Sequence, residues 1–141
     1  MKYRDKRVIL LEAYEHLHQV RGECSCEITD ECGVKDFTIK QIEYLKIIDH
    51  NDDVTFSRFA ELTKTSKPTV SELINRFIKL DCVYKEKSPD DGRVFHIYLT
   101  QKGQDIARVE QSTMLKVVDR IMASLSDEEV DMLITLFRKV T

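Results

Sequence analysis

No stretch of the 141-residue chain approaches the roughly 20 apolar residues that a membrane span needs. The short run Val8-Ile9-Leu10-Leu11 follows several basic residues, but no small-residue cleavage site comes after it. A cytoplasmic protein without a membrane segment is therefore expected. Glycine and proline are scarce, four and two, and no Gly/Ser linker, internal repeat or low-complexity tract interrupts the chain. No Ser–His–Asp grouping, phosphate-binding loop or pair of catalytic carboxylates can be placed, so an enzyme is not expected. A strong basic balance is also missing. The net charge is −3 and the pI about 5.8, which argues against a general nucleic-acid binder.

What the chain does have is 42% hydrophobic and 33% charged residues, the balance of a helix-rich globular protomer long enough to bury a core. Its charge is uneven. Between Thr55 and Thr100 eight basic residues face six acidic ones, so the centre is mildly basic inside an acidic frame.

The most informative stretch runs from Ser66 to Gly103. Ser66 or Lys67 can cap a helix, and Pro68 lies in the first turn, where its missing N–H costs nothing. Val70, Leu73, Ile74 and Phe77 recur at helical spacing. The opposite face carries Lys67, Thr69, Ser71, Glu72, Asn75, Arg76 and Lys79. After Asp81 the period changes. Cys82 to Lys87 and Val94 to Leu99 read as two strands around Ser88-Pro89-Asp90-Asp91-Gly92, a hairpin with a long turn. Upstream, Thr38-Ile39-Lys40-Gln41 has capping-box form and opens a helix to His50. Thr55 caps a short helix joined to the next by Thr63-Lys64-Thr65. Two helices so tightly coupled predict a helix-turn-helix.

The run Asp91-Gly92-Arg93, a strand, then Leu99-Thr100-Gln101-Lys102-Gly103 resembles the wing of the MarR family of winged-helix transcription regulators. Ser66 to Ile74 is similar to that family's recognition helix. Two positions depart from the pattern: Asp81 stands where the family usually has glycine, and Lys85 where it often has arginine. The resemblance implies a mainly α fold with a small β-hairpin wing. It divides the chain into an N-terminal dimerisation helix and cysteine-containing loop (1–37), a winged helix-turn-helix (38–100) and C-terminal dimerisation helices (101–141). It also implies double-stranded DNA as partner. Lys67, Thr69, Ser71 and Glu72 would face the major groove, with Asn75 and Arg76 further along the helix. Lys64, Thr65 and Ser66 are placed for phosphates, and Lys87, Asp91 and Arg93 belong to the wing. Asp91 would orient Arg93, whose guanidinium suits a narrow minor groove. Read without the resemblance, the same residues are a solvated helix face and a surface hairpin ion pair.

Cys24, Cys26 and Cys32 fall in the stretch Arg21–Phe37, which reads as irregular. Thiolates with His16, His18 and neighbouring carboxylates are suitable ligands for a metal ion or iron–sulfur cluster, but C-x-C-x5-C is not a zinc-ribbon spacing. Some MarR-like regulators sense oxidants or zinc in this region. The zinc sensors also place histidines on the helix after the wing, which has none here. Three readings stay open: metal or cluster binding, a redox switch, and a loop that merely contains cysteines.

The flanks read as long helices, Lys2–Gln19, Gln101–Leu125 and one opening at Ser126. Val130, Leu133, Ile134 and Phe137, with Met132, Leu136 and Val140 beside them, give the last helix more apolar surface than one protomer can hide. By resemblance a second copy covers it. A homodimer would present its recognition helices to a pseudo-palindromic operator. The expected function is a homodimeric repressor released by a small-molecule, redox or metal effector. Tyr14, Phe37, Tyr44 and Met114 are the effector-pocket linings to consider. The alternative is a winged-helix interaction module without DNA binding.

Overall fold

The computed structural model describes residues 5–141. The helix predicted from Lys2 thus begins, in its first residues, outside the described part. In chain order the elements are α1 (Lys6–Cys32), α2 (Ile39–His50), β1 (Val54–Thr55), α3 (Phe56–Thr63), α4 (Lys67–Lys79), β2 (Val83–Lys87), β3 (Phe95–Leu99), α5 (Gln101–Ala107), α6 (Val109–Ser124) and α7 (Asp127–Phe137). The described residues form two compact units: residues 5–28 with 110–141, and residues 29–109. The expected class, mainly helical with a small sheet, is what is observed.

The 29–109 unit is a winged helix. Its core is Leu45 and Ile48 of α2, Phe59 of α3, Val70, Ile74 and Phe77 of α4, and Val54, Val83 and Ile97 from the sheet, closed by Ile106. The sheet is antiparallel in the order β1-β3-β2, with Val54 and Lys85 both opposite Ile97. The two-residue β1 was not legible in the sequence, because its strand character comes only from pairing with β3.

Local chemistry explains the joints. Thr38 and Gln41 form the predicted capping box, with Thr38 N–H donating to Gln41 Oε1 at 3.0 Å and Gln41 N–H to Thr38 Oγ1 at 3.1 Å. Ser66, not Lys67, caps α4, and Pro68 sits in its first turn. At the other end Asp81 adopts φ +60°, and Cys82 N–H donates back to Phe77 O at 2.9 Å. This is a left-handed helix stop built on aspartate instead of glycine.

The Leu-Thr-x-x-Gly motif is also physical. Thr100 caps α5 by accepting from Gly103 N–H, and its hydroxyl donates to Asp81 O at 2.6 Å. A Cβ on Gly103 would stand 2.0 Å from Cys82 O, so only glycine lets α5 approach the start of β2. Lys102 Nζ donates to Leu80 O at 3.0 Å, giving a further carbonyl at the α4 C-terminus a partner.

Two expectations need correction. Residues 21–32, taken as irregular, belong to the 27-residue α1, which runs through Gly22 and stops at Gly33, where φ is +72°. Ion pairs from Glu23 to Arg120 (2.7 Å) and from Glu27 to Lys116 (2.6 Å) hold this part of α1 against α6, a tertiary effect that local composition does not show. The expected single helix from Gln101 breaks at Arg108 (φ −101°, ψ 12°) into α5 and α6. The Arg108 guanidinium makes three bonds of 2.8–3.3 Å to the Asp49 carboxylate, tying the end of α5 to α2.

In the other unit, α6 and α7 meet the N-terminal part of α1. Ser126 and Glu129 form the predicted capping box that starts α7. Much apolar surface stays open, including Leu10, Leu11, Tyr14, Met132, Leu136 and Phe137. No described helix is long and apolar enough to cross a membrane.

Candidate nucleic-acid interface

The outer face of α4 is mostly polar because the inner face takes most of its large apolar residues, with Leu73 and Ile78 half-buried between them. Val70, Ile74 and Phe77 are fully buried, while Lys67, Thr69, Glu72, Asn75, Arg76 and Lys79 are exposed. Ser71 is half-buried and stands off this row. In the turn before it, Lys64 is exposed in a left-handed conformation (φ +54°). The Thr65 hydroxyl meets that of Thr63 at 2.7 Å, and the Ser66 hydroxyl meets that of Thr69 at 2.8 Å. Thr65 and Ser66 thus shape the turn as well as bordering the face.

The wing presents Lys87 and Arg93, both exposed. Ser88 N–H donates to Val94 O at 2.8 Å and Val94 N–H to Asp91 O at 3.0 Å, so the long turn is closed by its own backbone. Asp91 accepts from the backbone N–H of Arg93 at 2.9 Å, a bond to the wing turn and not to the guanidinium. Among the described residues the guanidinium has no ion pair.

That is the electrostatic signature of this face. Lys64, Lys67, Arg76, Lys79, Lys87 and Arg93 have no carboxylate partner among the described residues. Elsewhere Arg58, Arg108, Lys116 and Arg120 are paired. Six such cations along one helix and the adjoining hairpin are groups that can neutralise phosphates. A groove of about 550 Å³ runs beside α4, lined by Thr69, Glu72, Leu73, Asn75, Arg76 and Lys79, with Gln41 of α2 on its other wall. Gln41 was not singled out from the sequence. Lys79 follows Arg76 at i+3, a signal the pattern contained.

Residues 35–94 match the model of the MarR family. Over these residues, fewer than half of the chain, the protein is similar to the MarR family. A curated relative, the putative transcriptional regulatory protein for the hcr operon of Thauera aromatica, is 28% identical over 97 residues, 68% of this chain and 58% of that protein. The match therefore spans less than two thirds of that relative's length. Among solved structures, the MepR–DNA complex of S. aureus aligns over 94% of this chain and 95% of that one, with TM-score 0.62 and 20% identity. YusO of Bacillus subtilis aligns over 98% and 97%, with TM-score 0.62 and 17% identity. FabT of Streptococcus pneumoniae, in complex with DNA, aligns over 96% and 94%, with TM-score 0.54 and 23% identity. Structural likeness at these identities establishes a common fold.

The cysteines are not gathered into a site. On α1, Cys24 and Cys26 point about 200° apart around the axis, and Cys24 and Cys32 are about 12 Å apart along it. Cys24 is buried, Cys26 exposed and Cys32 half-buried, and none forms a disulfide. Among the described residues no three His, Cys, Asp or Glu side chains are grouped to hold a metal. The metal or cluster reading, one of the three left open, finds no such grouping among the described residues, because the segment is helix rather than loop. Burial also pushes the Cys32 thiol above its ordinary pKa, the reverse of an activated thiolate. Cys82 is buried in the winged-helix core. Of the residues considered for an effector pocket, Tyr14 and Met114 line a groove of the helical unit, whereas Phe37 and Tyr44 pack on the winged-helix core.

Proposed function

We propose that this protein is a homodimeric, sequence-specific DNA-binding transcription regulator acting as a repressor. The observation that carries the reading is the row of unpaired cations on α4 and the wing, on a scaffold similar to the MarR family, with solved structures of the same fold that include MepR and FabT bound to DNA. In this reading α4 enters the major groove. Thr69 offers its methyl to thymine, Lys67 donates to guanine and Asn75 pairs with adenine, while Arg93 enters the flanking minor groove. Lys64, Thr65, Ser66 and Lys87 serve phosphates. Glu72 accepts from cytosine N4 and repels a misplaced phosphate.

Dimerisation is supported by the exposed apolar residues of α1 and α7. Leu10 is 71% exposed, Met132 65% and Val140 80%. A second copy would bury them and set two recognition helices roughly 34–36 Å apart. Release by an effector would act by changing that spacing. Selection of bound duplexes from a random pool tests this reading. A pseudo-palindrome with half-sites one helical turn apart is expected. A pool that stays unenriched, or enriches a single undivided site, would remove the dimeric reader.

A further inference from the structure

The geometry points to Lys85 as a positioning residue for the wing: its ammonium lies over the ring of Phe95 and, through that ring, holds Arg93 at a fixed reach from α4. This rests on the DNA-binding reading above and adds to it a residue that acts through its neighbours instead of touching the duplex.

The wing has a firm root and a long tip. The ladder between β2 and β3 runs from Val83 opposite Leu99 to Lys87 opposite Phe95, so Phe95 is its outermost residue on β3. Residues 88–94 beyond it form the turn, and Arg93 stands two positions before Phe95. The seating of the Phe95 ring therefore sets the direction in which Arg93 leaves the sheet. Lys85 is paired with Ile97, which puts Lys85, Phe95 and Ile97 on one face of the hairpin. On that face the Phe95 ring has two neighbours of different kinds. The ring of Phe56, the first residue of α3, lies 6.5 Å away with the planes 58° apart. Lys85 Nζ lies 5.0 Å from the Phe95 centroid, within cation–π range. Phe56 packs against the winged-helix core, and α3 leads through a short turn into α4. The chain of contacts Lys85–Phe95–Phe56 thus refers the wing to the helices that carry the recognition face. Lys85 is exposed, and among the described residues no carboxylate competes with the ring for its charge. A wing free to swing would present Arg93 correctly in only a fraction of molecules, and affinity falls by that fraction. A cation–π contact at an exposed site is strong enough to change such a ratio several-fold. Because β2 is an edge strand, a charge at Lys85 also guards it against pairing with another chain. A polar residue of any kind serves that second purpose, whereas the grip on Phe95 needs a cation.

The test titrates the full-length wild type, Lys85→Gln, Lys85→Arg, Arg93→Ala and the double variant Lys85→Gln/Arg93→Ala against one selected duplex at several salt concentrations. Lys85→Gln should weaken binding by about three- to fivefold for each wing engaged. Its salt slope should match that of wild type, because the bound complex is the same and only the competent fraction falls. Lys85→Arg should restore binding to within about twofold of wild type. In the Arg93→Ala background the glutamine should cost less than about twofold, since no guanidinium is left to place. The free protein gives a second readout by NMR. The Lys85 ε-methylene protons, held over the Phe95 ring, should be shifted upfield in wild type and return to ordinary positions in Phe95→Leu. A slope lowered by about one, with the same loss in both backgrounds, would make Lys85 a phosphate contact and overturn the positioning role. Wild-type binding by Lys85→Gln while Arg93→Ala is weakened, or unshifted methylene signals, would also overturn it and leave the DNA reading standing. A wild type that binds no duplex would overturn both proposals.

Discussion

Gly103 shows how much one residue can carry. The Cβ of an alanine there would collide with the Cys82 carbonyl at 2.0 Å, a backbone atom that cannot swing away. Gly103→Ala should cost at least about 2 kcal/mol in urea unfolding, an overpacking penalty at the joint of α5 and β2. Asp49 makes a second prediction. The Arg108 guanidinium bonded to it, with burial opposing, holds its carboxyl below the usual carboxylate range. A depressed carboxyl stabilises the fold above its unfolded pKa, near 3.8, and loses that contribution as pH falls through the lower folded value. Arg108→Gln should therefore lower the Tm at neutral pH and move the acid-unfolding midpoint to higher pH, read by far-UV circular dichroism. An unchanged midpoint would mean that the pair does not stabilise the fold.

At the scale of elements, the sequence was most readable where local chemistry and tertiary role agree. Ser66-Lys67-Pro68 starts α4, and Thr38 with Gln41 starts α2, because caps act within one turn. Removing one such cap, Thr38→Ala, should cost about 1 kcal/mol, measurable by thermal melting. Legibility ended where distant residues decide. The first helix reads as ending at Gln19, but Glu23 and Glu27 bond to Arg120 and Lys116 of α6 and the helix continues to Cys32. β1 exists through its register with β3, and the break at Arg108 accompanies a side chain captured by Asp49, 59 residues upstream. The candidate interface divides in the same way. The polar row from Lys67 to Arg76 and the wing residue Arg93 were visible as pattern, whereas the place of Gln41 on the groove wall shows only once α2 is seen beside α4.

For the whole molecule, an acidic chain of net charge −3 is proposed to bind a polyanion by collecting unpaired cations on one face and pairing others elsewhere. Its exposed apolar helices are proposed to be covered by a second copy of the chain. Phe137→Glu, at a residue 54% exposed on α7, should shift sedimentation from dimer to monomer and weaken operator binding without unfolding the winged helix. The most direct measurement of the central claim is a fluorescence-anisotropy titration of the selected duplex at several salt concentrations, with wild type and Arg93→Ala. The account predicts tight binding that falls steeply with salt, and a weaker variant with a slope shallower by about one. Binding that ignores both salt and the substitution would contradict it.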